Sequence, residues 1–204
     1  MKEVNLSEWE SCQAYERAAW GNMIYITPNN GEVIKQNTYA TEMGITESIN
    51  FESIDLKGKS VIDVGAGPIS LLLRSKNFSS ATAIEPLFYS DEVDNIYKSH
   101  GVELKRIPAE DIEEAHIYDE VWMYNCLQHT MSPSKILNKI KTLGKRIRIF
   151  EWLDIPEHEG HPQEMKVEHF VNILELKDSE YKIVNLNTRE LVGTAIVINK
   201  VMKK

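Results

Sequence analysis

The stretch Lys59-Ser-Val-Ile-Asp-Val-Gly-Ala-Gly-Pro-Ile-Ser70 decides the fold, together with Ala81-Thr-Ala-Ile-Glu-Pro86. Val61, Ile62 and Val64 are the short apolar β-branched run of a parallel strand covered on both faces. Gly65 and Gly67 then allow backbone angles closed to other residues and let a ligand approach the main chain. Pro68 suits the first turn of a helix, which Ile69, Leu71, Leu72 and Leu73 are expected to continue, with its unpaired N–H groups facing the loop. Ala81 to Ile84 reads as a second buried strand closed by Glu85. This acid stands 22 residues beyond Asp63, where a carboxylate accepts from both hydroxyls of a ribose. A dinucleotide fingerprint requires a further glycine three residues after Gly67, and Ser70 stands there instead.

Downstream, strand and helix patterns alternate. Asp91 and Glu92 open a helix from about Ser90, and Gly101 ends it before a strand over 102–107. A buried strand over 120–124 follows, then a helix that Ser132 and Pro133 start and Gly144 stops, then a strand over 146–150. Such alternation means a doubly wound parallel sheet with covered faces. Segments 181–186 and 194–202 read as a closing antiparallel hairpin turning at Gly193. At the other end, Ser7 and Glu10 have capping-box spacing before a helix bearing Trp9, Tyr15 and Trp20, and a turn at 28–31 precedes a helix over 32–43. No linker rich in Pro, Gly or Ser divides the chain. It is expected to be one globular unit, with residues 1–50 as an N-terminal helical extension or lid and 51–204 carrying the ligand-binding sheet.

With 204 residues, 42% of them hydrophobic, the chain can bury a single sizeable core. A net charge of −8 argues against a nucleic-acid backbone as main partner, since phosphate contact normally needs a basic stripe. The local cluster Lys139, Lys141, Lys145, Arg146 and Arg148 reads as a solvated helix face and strand start. Cys12 and Cys126 lie far apart and form no metal-type pair, which fits a reducing cytoplasm, and no segment has the length and apolarity of a membrane span.

Asp63-Val-Gly-Ala-Gly67, Glu85, Ala109-Glu-Asp111 and Tyr124-Asn-Cys-Leu-Gln-His129 follow one another in a familiar order. Over about residues 59–155 the chain resembles the class I S-adenosylmethionine-dependent methyltransferases, in particular the small-molecule type that includes ubiquinone-biosynthesis enzymes. The resemblance implies an α/β fold with a doubly wound, mostly parallel seven-stranded Rossmann-like sheet, and S-adenosyl-L-methionine as cofactor. It implies that Gly65, Ala66 and Gly67 meet the methionine part while Asp63 orients the loop, that Glu85 holds the ribose, and that Pro86 flanks the adenine. It further implies that Ala109, Glu110 and Asp111 follow the third strand, with Asp111 accepting from the adenine amino group and Ile112 packing on the ring. Asn125 and Cys126 would lie beside the sulfonium, where the carbonyls of 125–127 bind the cofactor's ammonium. The sequence departs from the family at Ile69, where a third glycine is frequent, so the loop's path is its own.

Methyl transfer asks a protein to hold the nucleophile in line, exclude water and take a proton when the nucleophile carries one. His129 is the candidate base. Tyr39 from the extension, and Glu151 and His161 from the segment after the fifth strand, are candidate substrate contacts. No metal site is expected, because Gly160 and Pro162 prevent a regular helical presentation of His158 and His161. The expected activity is methyl transfer to an oxygen or nitrogen of a small molecule or metabolite conjugate, and the absence of an Asn-Pro-Pro-Tyr run after the fourth strand argues against DNA amino methylation. The alternative is a partner or regulatory protein that binds the cofactor without catalysis. Neither the acceptor nor the oligomeric state follows from the pattern.

Overall fold

A computed structural model describes residues 1–21, 31–113 and 117–202. The turn expected at 28–31 and residues 114–116 fall largely outside them. The strands of the main sheet are β1 (Ser60–Val64), β2 (Ser80–Ile84), β3 (Glu103–Lys105), β4 (Glu120–Tyr124), β5 (Arg146–Trp152), β6 (Tyr181–Asn187) and β7 (Val192–Val201). Their order is β3-β2-β1-β4-β5-β7-β6, parallel from β3 to β5 and closed by the antiparallel pairs β5/β7 and β7/β6. Strand order reverses on either side of β1, which is where a doubly wound sheet opens a crevice beyond its strand ends.

Alternation along each central strand makes two cores. Val61, Ala81, Ala83, Trp122, Tyr124 and Phe150 face one side, where they pack with Tyr39 and Met43 from the segment of α2 (Gly31–Glu42) and with Tyr97 of α3 (Asp91–Ser99). Ile62, Val64, Val121, Met123, Ile147 and Ile149 face the other, against α4 (Pro133–Leu143) and α5 (Val167–Leu174). Both faces are covered, so the strands read as near-continuous apolar runs.

Several local expectations are corrected. The N-cap of α1 (Leu6–Trp20) is Asn5, whose side chain accepts from the Glu8 N–H; Ser7 lies inside the helix. The hairpin turns at Thr188–Leu191, while Gly193 lies within β7 with Trp152 packed where a side chain would be. The α-helix expected from Pro68 is absent: a 3-10 turn, Leu71–Arg74, leads into a two-residue strand that pairs with Ile54–Asp55. Leu71 and Leu72 of this turn are both buried.

Arg148, read as solvated, is buried. Its Nε donates to Glu120 Oε2 at 2.7 Å, and its Nη1 donates to the carbonyls of Met43 and Gly44 just beyond α2. Glu120 also accepts from Lys59 at 2.6 Å and from the Trp122 indole at 2.9 Å. Burial by itself would raise the Glu120 pKa, but the bonds from Arg148, Lys59 and Trp122 outweigh it and hold the carboxyl at about 2. Removing Glu120 strands a buried guanidinium, which costs about 3–5 kcal/mol. Glu120→Ala is expected to lower the urea unfolding free energy by that amount, while Lys59→Ala, at the solvated end of the network, changes it by less than about 1 kcal/mol.

Candidate functional site

A cavity enclosing about 740 Å³, part of it open to solvent, lies beyond the carboxyl ends of β1, β2 and β4. Gly65, Gly67, Glu85, Pro86, Ala109, Glu110, Asn125, Cys126 and His129 all line it, and α1 covers it with Trp9, Gln13, Glu16 and Trp20. Nine residues predicted from sequence therefore converge on one space.

The loop after β1 is held from below. Asp63 is fully buried and its Oδ2 accepts from the hydroxyls of Ser70 (2.5 Å) and Tyr124 (2.8 Å). Tyr124 in turn accepts from the Leu71 N–H, while Tyr97 accepts from the Ser70 N–H and donates to the Gly67 carbonyl. These buried tyrosines take the N–H groups that the missing helix was to present to a ligand. Asp63 orients the loop through Ser70 and Tyr124 rather than through backbone N–H groups, and Ala66 is buried beneath the cavity instead of lining it. Tyr97 carried no signal in its polar helix, and Tyr124 entered only as the first residue of the stretch 124–129, without this role.

Gly65 has φ of 78°, and a Cβ there would come within 2.5 Å of the Cys126 side chain. Gly67 has φ of 62° with open space on its side-chain position. Glu85 accepts from the Gly67 N–H at 2.9 Å and from the Leu87 N–H at 2.9 Å, one bond to each oxygen. The Tyr89 side chain hydrogen-bonds it as well, so of about four lone-pair directions on the carboxylate about one remains on the cavity wall. Burial raises the Glu85 pKa, opposed by those two backbone bonds.

At the third strand the structure exchanges the two acids. Asp111 is exposed and outside the cavity, whereas Glu110 is buried, lines it and accepts from the Ser132 N–H at 2.9 Å. The 3-10 turn Ala109–Asp111 turns Glu110 inward. Ile112 belongs to the core rather than to the cavity lining.

After β4, Asn125 adopts φ of 50° and the chain enters a tight turn, Leu127–His129. The carbonyls of Cys126 and Leu127 accept the N–H groups of His129 and Thr130, so two of the three carbonyls assigned to the cofactor's ammonium are engaged within the turn. Glu151 is not a substrate contact: it is fully buried and its carboxylate accepts from the N–H groups of Cys126, Leu127 and Trp152. Tyr39 is corrected likewise, being packed on Phe150 with ring centroids 4.6 Å apart and on Tyr124. Gln36 is buried as well.

His129 Nδ1 lies 2.7 Å from the Gly160 carbonyl, which only accepts, so Nδ1 carries the hydrogen and Nε2 the lone pair. Burial lowers the His129 pKa to about 4, with the Gly160 bond opposing. The imidazole is therefore neutral at pH 7 and a weak base, better suited to accept a hydrogen bond than to store an acceptor's proton. His161 stands edge-on to it, with ring centroids 4.5 Å apart, and does not line the cavity. Burial lowers its pKa to about 3.

Burial raises Asp63 and Glu151 to about 7 each, against the hydroxyl bonds to Asp63 and the backbone bonds to Glu151. The native state thus holds protons that unfolded carboxyls release above about pH 4, and this contribution to stability is lost as pH rises from about 4 to 7 and is constant above that. The depressed histidines act oppositely, lowering stability as pH falls below 6.5. Between about pH 4.5 and 6.5 the two carboxyls and the two histidines change stability in opposite senses, each by at most about 1.4 kcal/mol per pH unit, so thermal melts are expected to vary little there and to level off above about pH 8. Asp63→Asn removes one of the falling contributions, so its melting temperature should rise with pH between about pH 4.5 and 6.5.

No family model and no curated protein matches the sequence. Solved structures do. The N-methyltransferase NodS of Bradyrhizobium japonicum, in complex with S-adenosyl-L-homocysteine, aligns with a TM-score of 0.67 at 10% identity, covering 95% of this chain and 99% of that one. The 1,6-didemethyltoxoflavin-N1-methyltransferase of Burkholderia thailandensis, with its namesake ligand and S-adenosylhomocysteine bound, gives 0.63 at 12% identity, covering 100% and 93%. The [4+2]-cyclase SpnF gives 0.59 at 14% identity, covering 91% and 77%. The chain shares its seven-stranded fold with these two methyltransferases and with a cyclase, so the fold carries more than one chemistry.

Proposed function

We propose that the protein binds S-adenosyl-L-methionine in this cavity and transfers its methyl group to an oxygen or nitrogen of a small molecule, in a reducing cytoplasm. The observation that carries the reading is the meeting of Glu85, Gly67 and the turn at Asn125–Leu127 around one cavity at the point where strand order reverses. Glu85 keeps acceptor capacity for a ribose hydroxyl beside its bonds to Gly67, Leu87 and Tyr89, and the open position at Gly67 admits an amino-acid moiety against the main chain. Pro86, Leu87 and Ala109 supply an apolar slot for a base, with Glu110 as the acid at its edge. The cofactor supplies an activated methyl group on a positively charged sulfur.

The chain's own contribution is then position, exclusion of water and electrostatics. Helix α1, with the aromatic faces of Trp9 and Trp20, closes the cavity as a lid, the role proposed for the segment 1–50. His129 faces the cavity as a neutral hydrogen-bond acceptor, so the nucleophile must arrive with its lone pair already available, as an ionised oxygen or an unprotonated nitrogen.

Calorimetry with S-adenosylhomocysteine is expected to show one site per chain. Glu85→Ala should weaken it by about 1–3 kcal/mol, or about 5- to 150-fold, the scale of paired hydrogen bonds from a buried group. Unchanged affinity in that variant, or tighter binding of NADH, overturns the reading. Binding without product from S-adenosylmethionine and a panel of phenolic, carboxylic and amine acceptors favours the non-catalytic alternative.

A further inference from the structure

We infer that Glu16, His129 and His161 form a site for a divalent first-row transition ion, Zn²⁺ being the type case, on the wall of the cavity. One ligand atom from each residue lies within 4.8 Å of the other two. His129 Nδ1, 3.4 Å from Glu16 Oε1, carries its hydrogen toward the Gly160 carbonyl, so the lone pair that His129 offers an ion is on Nε2. Donors in a tetrahedral shell with bonds of about 2.0–2.1 Å stand about 3.3 Å apart, so atoms within 4.8 Å of one another have to close in through side-chain torsions. This differs from the His158/His161 pair considered from sequence, because the third donor comes from α1 and the second from the turn after β4.

Two observations point to a cation rather than to packing. His161 Nδ1 is buried with no hydrogen-bond partner, a state that costs about 1–3 kcal/mol when nothing fills it. Glu16 is largely buried, and among the described residues no Lys or Arg pairs with it; its neighbours are the Trp20 indole and imidazoles. A carboxylate beside neutral rings is an uncompensated charge, and a divalent ion supplies the compensation. Two imidazoles and one carboxylate are the donor set of open transition-metal sites, which leave a further position for water or a bound molecule. The Gly160 carbonyl, which also accepts from the Cys12 thiol, fixes the His129 ring through Nδ1 as outer-shell groups do around metal ligands.

Glu16 and His129 line the cavity, so the ion would tie α1 to the loops after β4 and β5 and place its free position beside the cavity. The site does not depend on the methyl-donor reading. Its test is therefore run without any nucleoside: protein stripped with EDTA is titrated with Zn²⁺ by calorimetry and with Co²⁺ by visible absorption. One ion per chain with the intense spectrum of low-coordinate Co²⁺ is expected, and Glu16→Gln and His161→Ala should each weaken Zn²⁺ binding by at least about 100-fold while circular dichroism shows the fold retained. No bound ion, or binding that both variants leave unchanged, overturns the inference. S-adenosylhomocysteine titrated separately into stripped protein keeps the two proposals apart, since its failure to bind removes the cofactor reading and leaves the metal result standing.

Discussion

The carboxylate of Asp63 is the constraint on which the site is built. It stands one residue before the end of β1 and is fully buried, where an unpaired acid would be costly, and it gathers the hydroxyls of Ser70 and Tyr124 around itself. Those hydroxyls and that of Tyr97 then take the backbone groups of the segment 67–71 one by one. A glycine-bearing turn that would otherwise sample many conformations is thereby fixed from the core side, leaving its outer side to the cavity. Glu151, near the end of β5, repeats the device, holding the turn after β4 by the N–H groups of Cys126 and Leu127. Two buried acids thus fix the two loops between which the cavity opens.

Much of this architecture was legible because buried parallel strands advertise themselves. The runs at 61–64, 81–84 and 120–124 are apolar on both faces, and Ser90, Pro133 and Gly144 mark helix limits by known local chemistry. What sequence could not reveal were the polar contacts made across long separations. Leu71 to Leu73 look helical by composition, yet the hydroxyls of Tyr97 and Tyr124, unseen in a local window, hold the chain in a tighter turn. Arg148 looks solvated beside Lys145 and Arg146 until the strand register turns it toward Glu120. Glu110 and Asp111 are adjacent acids, and only the turn geometry decides which one enters the cavity.

The fold by itself leaves the reaction open, since a cyclase shares it with the methyltransferases. The electrostatics of the cavity are more specific. Acids surround it, with Glu16, Glu85 and Glu110 on its wall, and among its lining residues there is no Lys or Arg. Such a lining disfavours anionic groups such as phosphates and suits a ligand carrying positive charge. Burial keeps His129 neutral, so the imidazole adds a lone pair without adding a positive charge to that field.

The two tyrosine anchors also tie the order of assembly to the site. Tyr97 reaches back 30 residues to Gly67, and Tyr124 reaches back 53 residues to Leu71. Closing such loops carries an entropic cost that local turns avoid, so the glycine segment gains its shape only when β4 has docked beside β1. A nascent chain that has emerged no further than α3 holds the residues of the turn without its geometry. The amides of Ser70 and Leu71, held by those buried hydroxyls, are protected by contacts that the assembled sheet supplies, which couples the shape of the ligand-facing turn to global cooperativity.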